Sequence, residues 1–485
     1  MYRVRYLEQT DKLGERVCLS MIEEVYRREL LLECVQQSKR RAQKERRVGH
    51  FTGLATLWLL LAMVLWSRLA QGRVWDKLTH WLQDSTPDRP QEPAGASAVA
   101  YQRALLGVEA LRQLFEQGTH VLGEKQTPGV FYRGYRLMAL DGTLFTLPDT
   151  PANEQAFGRS RNQYGKGAYP QARVVLLTEC GTHATIGLHI GRYDEGEVHG
   201  AFALLPKLKR GMLLLHDANF FGGAYLEALR AQGVLSLGAL SSTVALDRRR
   251  NLPDGSYLAQ LLPNAQAAYP MQRSQWVRII EYQLTDERLG EPVQVYRLVT
   301  TWLNPRTAPA KELIVLYHER WEVETVLDEV KTHLRVQQKV LRSKTPEGVR
   351  QELYALFVVH FAIRFLMAQA AREADLDPDR LSFTEAMFQV CETLADERGE
   401  ESPLLHERRA ARLRQRLRRR GLPERFLRIN RRELKQVYRK YKPKKRDAAT
   451  PQPFEPEQRF ADFVVVLLRP QGSTQLTEGT PMSLI

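Results

Sequence analysis

The sequence predicts an α/β protein, with a mixed-sheet core, a β-rich insertion, a helical N-terminal region and a basic helical C-terminal region. Apolar residues recur at helical spacing up to about residue 117, and the period then shortens to that of strands separated by Gly, Pro and Asn. A helical stretch falls between the buried runs that follow, which is the mark of a mixed sheet. At 485 residues the chain exceeds what one hydrophobic core usually serves, so two or three domains are expected.

In order along the chain, Met21–Val35 reads as a helix that leads into the basic run Lys39–Arg47. Phe51–Ser67 (FTGLATLWLLLAMVLWS) is uncharged over 17 residues, the short limit for a bilayer span. Thr52, Gly53 and Thr56 interrupt it and no second span accompanies it, which favours a buried helix over a membrane segment. Asp84–Pro93 is proline-rich and polar, a linker. A helix is expected over 98–117. Tyr135–Leu140, Leu144–Leu147, Arg173–Thr178, Thr185–Ile190 and Met212–His216 read as strands, with a helix over Glu197–Leu208. Trp276–Tyr282 and Val293–Thr301 continue the strand pattern. Ala308–Val340 reads as one long helix broken once, followed by helices at Gln351–Ala371 and Phe383–Leu394, and Phe460–Leu468 could add a strand. These readings divide the chain into a helical region 1–84, a linker 85–97, a core 98–371 with an insertion at about 233–305, a basic helical region 372–446 and a tail 447–485.

The net charge of +15 is unevenly spread. Residues 401–446 hold 19 Lys and Arg against four Glu, so this segment alone carries the whole excess. A segment that binds a polyanion, of which nucleic acid is the commonest, and a solvated arginine-rich tail both fit that charge. Four cysteines lie far apart with no Cys-x-x-Cys pair, which argues against a disulfide framework or a cysteine-based zinc ribbon. The N-terminus lacks an apolar signal core, so a reducing cytoplasm is expected.

Carboxylates after strands are the first candidates for chemistry. Asp141 follows Leu137–Leu140 and opens Asp141-Gly142-Thr143, and Asp217 follows Leu213–His216. Taken singly, an Asp–Gly is commonly a turn and an Asp after a strand commonly a cap. Two such aspartates on neighbouring strands would repel and need a cation, and hard carboxylates select magnesium or manganese over zinc. In the helical run that follows, Tyr317, Arg320, Glu324 and Lys331 fall within an arc of about 60° at 100° per residue, beside the apolar stripe Val323, Leu327, Val330 and Leu334. An Arg320–Glu324 ladder is an ordinary helix pairing. One acid among two cations and a phenol also suits a metal ligand surrounded by phosphate contacts.

The spacing Tyr-x2-Arg-x3-Glu-x6-Lys over 317–331 resembles the signature of DD-E transposases of the insertion-sequence-4 type. Asp141-Gly142-Thr143, Tyr169–Val174, Asp217-Ala218-Asn219-Phe220, Leu298–Thr301 and Tyr101–Gly107 resemble landmarks of that family in family order, and the similarity extends over most of residues 20–446. The resemblance implies a ribonuclease H-like (retroviral-integrase-like) core with Asp141, Asp217 and Glu324 as metal-binding catalytic triad, and with Tyr317, Arg320 and Lys331 on phosphates of the transposon end. It implies two Mg²⁺ ions, for which Mn²⁺ could substitute, acting in phosphodiester hydrolysis and transesterification. It further implies cut-and-paste transposition through a hairpin, double-stranded DNA at inverted repeats and target as partner, a homodimer on paired ends, no membrane, and residence in the cytoplasm at the nucleoid. The chain departs from the pattern where many relatives carry a basic residue after the second Asp or some twenty residues on: Ala218 and Ala239-Leu240-Ser241-Ser242 stand there.

Other candidates have weaker support. Gly165-Lys166-Gly167 lacks the frame of a phosphate-binding loop and reads as a plain loop. Asp194, Glu197 and His199 are metal-ligand types off His-Glu-x-x-His spacing, better explained as acids at a helix start. Trp302 and Trp321 could stack on an unpaired base, although either is more commonly a core residue. A transposase-derived DNA-binding protein without cleavage activity is the alternative reading.

Overall fold

The computed structural model describes residues 19–41, 53–85, 96–162, 165–241, 244, 246–263, 268–284, 295–335, 339–395, 403–419, 421–422 and 464–467. Most of the basic run Lys39–Arg47, the centre of the linker, much of 401–446 and nearly all of the tail lie outside these residues. The chain divides into two compact units, one running to Ser236 and again over His318–Arg425, the other comprising Leu237–Tyr317 and the residues from Phe426 on.

Among the described residues, six helices open the first unit: α1 Ser20–Glu23, α2 Arg28–Arg41, α3 Gly53–Leu65, α4 Gln71–Ser85, α5 Ala96–Leu106 and α6 Glu109–Gly118. The helix expected over Met21–Val35 is therefore two, and the one expected over 98–117 is also two, separated at Gly107, whose φ of +67° only glycine adopts without strain. In α3, Leu57, Trp58, Leu59 and Leu61 are fully buried. The uncharged stretch is thus a core helix, as its interruptions suggested.

The sheet follows: β1 Phe131–Tyr132, β2 Tyr135–Thr146, α7 Pro151–Phe157, β3 Arg159–Asn162, β4 Gly165–Glu179, β5 Thr185–Arg192, α8 Glu197–Leu204, β6 Met212–His216 and α9 Gly223–Ala231. β2 is antiparallel to β4, with Leu140 opposite Leu177, and parallel to β6, with Leu140 opposite His216. β3 and β5 both pair antiparallel with β4. The sheet is mixed, and Leu137–Leu140 are buried whichever face they point to, as their continuous apolar run requires. Two expectations fail here. The two runs read separately, Tyr135–Leu140 and Leu144–Leu147, are one strand, with Asp141-Gly142 inside it rather than in the turn that an isolated Asp–Gly commonly makes. Gly165-Lys166-Gly167 is the start of β4, held as the second arm of a hairpin with β3, and not a loop. The α8 helix gives way at Leu204 to a 3₁₀ turn, Leu205–Lys207, where Pro206 has no N–H to continue it.

The second unit is antiparallel: β7 Leu235–Ala239, which straddles the boundary, then β8 Asp247–Asn251, β9 Tyr257–Leu261, β10 Gln275–Leu284, β11 Tyr296–Thr300 and α10 Ala310–Tyr317. β11 pairs with β7 and β10, and β9 with β10 and β8. Arg278 of β10 is fully buried, donating to Ser256 Oγ at 2.8 Å and the Ala308 carbonyl at 2.6 Å and pairing with Asp254, so its charge is satisfied on every side.

From His318 the first unit resumes with a 3₁₀ turn to Arg320, α11 Trp321–Asp328, a π-helical turn Glu329–Leu334, α12 Pro346–Arg372, α13 Phe383–Ala395 and α14 Pro403–Arg418. β12, Val464–Val466, pairs with β10 in the second unit and lies within the stretch where a strand was expected. The helix expected to break once over 308–340 changes pitch three times. α12 begins at Pro346, capped by Thr345, whose hydroxyl accepts from Gly348 N–H. It is long and apolar enough to cross a membrane, and 89% of its apolar window is buried inside the protein.

α12 is the spine of the unit, and the N-terminal helices are tied to it. Tyr26 donates to the Val358 carbonyl at 2.8 Å, and Phe361 packs on Tyr26, His120 and Phe365, with ring centroids 5.6–6.5 Å apart. Phe361→Ala is expected to cost about 3–5 kcal/mol, the price of a cavity at a fully buried aromatic. Urea unfolding checks it: a loss under about 1 kcal/mol would mean that the N-terminal helices do not share this core.

Candidate active site

Register carries Asp141 and Asp217 to matching positions. Leu140 is opposite His216 in the parallel pair, so the next residue on each side is an aspartate, Asp141 within β2 and Asp217 just beyond the end of β6. His216 fixes the second. It is fully buried, and burial lowers its pKa, leaving a neutral ring. Nδ1 lies 2.9 Å from the Asp217 carbonyl and Nε2 2.9 Å from Ser236 Oγ, so the proton is assigned to Nδ1 and the hydroxyl donates to Nε2. The Asp217 carboxylate accepts from Asn219 N–H at 2.9 Å, capping the short turn Ala218–Phe220. Ala218, where many relatives of the resembled family carry a base, lies in that turn.

α11 and its flanking turns bring the third acid and two cations. Arg320 donates to Glu324 Oε1 at 2.8 Å and stands 4.0 Å from Asp141 Oδ2, so the ordinary i,i+4 pair is also a bridge towards the sheet. Lys331, in the π turn, donates to Thr143 Oγ1 and lies 5.3 Å over the Phe145 ring. Asp141, Thr143 and Phe145 share one face of β2 by the strand's period of two, so Arg320 and Lys331 converge on a single row of side chains. Tyr317 ends α10 in the second unit, close enough to Tyr282 to raise that phenol's pKa further above its burial-driven shift. The structure thus gathers Asp141, Asp217, Arg320, Glu324 and Lys331 in one unit and assigns Tyr317 to the other.

Electrostatics match the geometry. Burial pushes the Asp141 carboxyl up to about 7, and Asp217 and Glu324 add to the rise, while Arg320 and the Gly142 N–H oppose it. A carboxyl cut off from water beside two further acids is what a hard cation would relieve, and an all-oxygen donor set of carboxylates fits Mg²⁺ or Mn²⁺.

Sequence reasoning missed Glu197. It opens α8, as a helix-start acid should, yet its carboxylate also accepts from Arg173 at 2.7 Å, lies against Gly142 and is raised in pKa by burial and by Asp217. A Cβ at Gly142 would meet Glu197 Oε1 at 2.5 Å, which is why a glycine stands inside a strand at this point. The signal was available: a glycine beside a candidate acid, within a run that is otherwise strand. Trp321, expected in a core, is 46% exposed beside Arg320, and Trp302 is half-buried with its indole N–H donating to Thr307 at 2.8 Å.

Behind α11 is a buried network. Glu329 accepts from His360 Nε2 at 2.8 Å and from Arg364 Nε at 3.0 Å. Burial pushes its carboxyl up, but Arg364 with His183 and His360 overrides this and holds it well below the usual carboxylate range. Glu322 accepts from Gly181 N–H, and its pKa is raised by burial and by Asp379 and Glu319.

Two family profiles match the chain: "Transposase DDE domain" over residues 132–362 and "Insertion element 4 transposase N-terminal" over 16–116. The chain is 28% identical over 378 residues to the transposase InsG for insertion sequence element IS4 of Escherichia coli K12, covering 76% of this chain and 82% of that protein. InsZ of the same strain, also named a transposase, is 24% identical over 172 residues, covering 35% of this chain and 58% of its own. A solved structure of the piggyBac transposase synaptic complex with hairpin DNA aligns at a TM-score of 0.39 and 12% identity, over 87% of this chain and 90% of that one.

The raised Asp141 pKa gives a pH dependence to the metal-free protein. The unfolded carboxyl ionises near pH 4 and the folded one near 7, so across that window the folded chain keeps a proton that the unfolded chain has lost. Stability therefore falls as pH rises from about 4 to about 7, by at most about 1.4 kcal/mol per pH unit from this group. Asp141→Asn should remove that contribution. Urea titrations of both proteins in chelator across the window test it, and parallel pH profiles would overturn the assignment.

Proposed function

The chain belongs to the DDE transposases of the insertion-element-4 type, a DNA-cleaving and strand-transferring enzyme family, and from that premise we propose that Asp141, Asp217 and Glu324 are its catalytic carboxylates. The observation that carries this reading is the matched register of Asp141 and Asp217, with Arg320 spanning from Asp141 to Glu324. The three acids would hold two Mg²⁺ ions, with Mn²⁺ as a substitute, in a ribonuclease H-like core. When bound, the ions supply Lewis-acid activation of the nucleophile and stabilisation of the leaving 3′ oxygen.

The chain's own groups do the rest. Arg320 is poised to exchange Glu324 for a phosphate oxygen, since a guanidinium fork serves carboxylate and phosphate alike. Lys331, held on the Thr143 hydroxyl, places a second positive charge along the same row. Tyr317 would add a contact to the transposon end. Water attacks the phosphorus at the element's end, the P–O3′ bond breaks, and the freed 3′-OH then attacks the opposite strand, releasing its 3′ oxygen and closing a hairpin. Opening of the hairpin and attack of the 3′-OH on target DNA complete a cut-and-paste cycle. Each step exchanges one phosphodiester bond for another or for water, so no external energy source is required.

The helical region 1–84 would recognise the inverted repeat, the core 98–371 with its insertion at about 233–305 would cut, and the basic region 372–446 would grip DNA phosphates irrespective of sequence. α14 carries part of that charge, with Arg412, Arg416 and Arg418 along it. The enzyme would act as a homodimer on paired ends, at the nucleoid where its substrate lies.

A labelled duplex carrying the element's own terminal repeat tests the triad. With Mg²⁺, the unaltered protein should nick at the repeat boundary, and Glu324→Gln should lose more than about 100-fold in nicking while binding the duplex equally well. Equal nicking by the variant, or tight binding with no cutting by either protein in Mg²⁺ or Mn²⁺, would overturn the assignment.

A further inference from the structure

At the open edge of the sheet, and sharing no residue with the three carboxylates proposed above, His189 of β5, Glu195 of the following turn and His199 of α8 each present one ligand atom, all within 4.8 Å of one another. β5 pairs only with β4 among the described residues, so this flank is not covered by a further strand. We propose that the three side chains form a binding site for a zinc-class divalent cation, distinct from the Mg²⁺ chemistry of the carboxylates.

The donor set decides the metal class. Two imidazoles and one carboxylate suit Zn²⁺ and its borderline neighbours, whereas Mg²⁺ prefers oxygen alone. The spacing fits as well. Two donors about 2.1 Å from a tetrahedral zinc lie about 3.4 Å apart, and His189 Nε2 stands 3.2 Å from Glu195 Oε2. The rings of His189 and His199 are edge to face with centroids 5.7 Å apart. His189 and Glu195 are 21% and 30% exposed and His199 is exposed, so a cation can enter and keep water as its fourth ligand.

The surrounding backbone is cleared for this arrangement. A Cβ at Gly191 would collide with the Glu195 carboxylate and meet His189 Nε2 at 2.9 Å, and a Cβ at Gly200 would meet His189 Cδ2 at 3.1 Å. The nearby cations are engaged elsewhere: Arg192 with Asp194 at 2.9 Å and Arg173 with Glu197 at 2.7 Å. The buried trio His183, Glu322 and Asp379 has comparable spacing, but the Arg364 guanidinium bonds to His183 Nδ1 and would repel a cation there. A metal on His189, Glu195 and His199 would tie β5 to the first turn of α8, the turn from which Glu197 reaches Gly142.

The test uses the full-length, tag-free protein, stripped with chelator and titrated with Zn²⁺ while excess Mg²⁺ occupies hard oxygen sites. One Zn²⁺ per chain should bind, Co²⁺ in its place should show the intense visible bands of four-coordinate cobalt, and Asp141→Asn should change neither. His199→Ala, at an exposed position that leaves the core intact, should weaken Zn²⁺ at least about tenfold, and His189→Ala should do the same. No bound Zn²⁺, octahedral-type Co²⁺ spectra, or unaltered affinity in His199→Ala would overturn the proposal, and loss in Asp141→Asn would place the zinc on the carboxylates instead. Because the readout is binding, its failure is separable from failure of the nicking assay.

Discussion

Parallel pairing of β2 with β6 places Asp141 and Asp217 side by side, and much of the fold follows from how that pairing is achieved. Two parallel neighbours cannot be joined by a tight turn; the chain must cross from the end of one to the start of the other. Here the crossover contains β4, β5 and α8, so the connection itself delivers Glu197 to Gly142. The acids therefore gather because of topology before any side chain makes a choice. His216, buried and neutral between the Asp217 carbonyl and Ser236, keeps the second strand end from drifting.

Gathering acids has an electrostatic cost, and the cations around them are placed in answer to it. Asp141, Asp217, Glu324 and Glu197 would repel one another strongly in a half-buried setting. Arg320 spans two of them and Arg173 holds a third. Even so, Asp141 retains its proton to about pH 7. Burial is the main cause, with Asp217 and Glu324 each adding less than Arg320 takes away, and a bound cation would replace the solvation that burial removes. Arg320 is suited to yield, because a guanidinium that leaves Glu324 for a phosphate keeps an anionic partner throughout.

Much of this was legible in the sequence, and the failures share a cause. Short strands bounded by Gly and Pro, the buried helix at 53–65 and the spacing of Arg320, Glu324 and Lys331 all report local periodicity, which a sequence carries directly. The strand over 135–146 was read as two because Asp–Gly interrupts the strand pattern locally, whereas the determinant of Gly142 is Glu197, distant in sequence and lying against its Cα. Gly165–Gly167 was misread for a similar reason: pairing with β3 gives strand geometry to residues with no strand propensity. Tyr317 shares the helical arc with Arg320 in sequence, yet a 3₁₀ turn intervenes and the chain changes units between them. His189 was not considered beside His199, because ten residues and an element boundary separate a pair that only the fold brings together.

The helix bearing Glu324 is held from behind by a different kind of interaction. Glu322 and Glu324, two residues apart in α11, point about 200° apart; Glu329 of the π turn lies with Glu322 beside His183, and Lys331 reaches Thr143 of β2. One face is thus buried against Gly181, His360 and Arg364 while the other faces β2. A buried ion pair such as Glu329–Arg364 contributes little net stability against an apolar alternative, because desolvating both charges offsets most of their attraction. What it does supply is intolerance of displacement: a small shift of the helix would leave a buried charge unmatched, at several kcal/mol. An apolar seam would let the helix slide with little penalty, and a carboxylate proposed to act with two others needs the opposite. The network behind α11 is therefore best understood as the means by which Glu324 is kept in place.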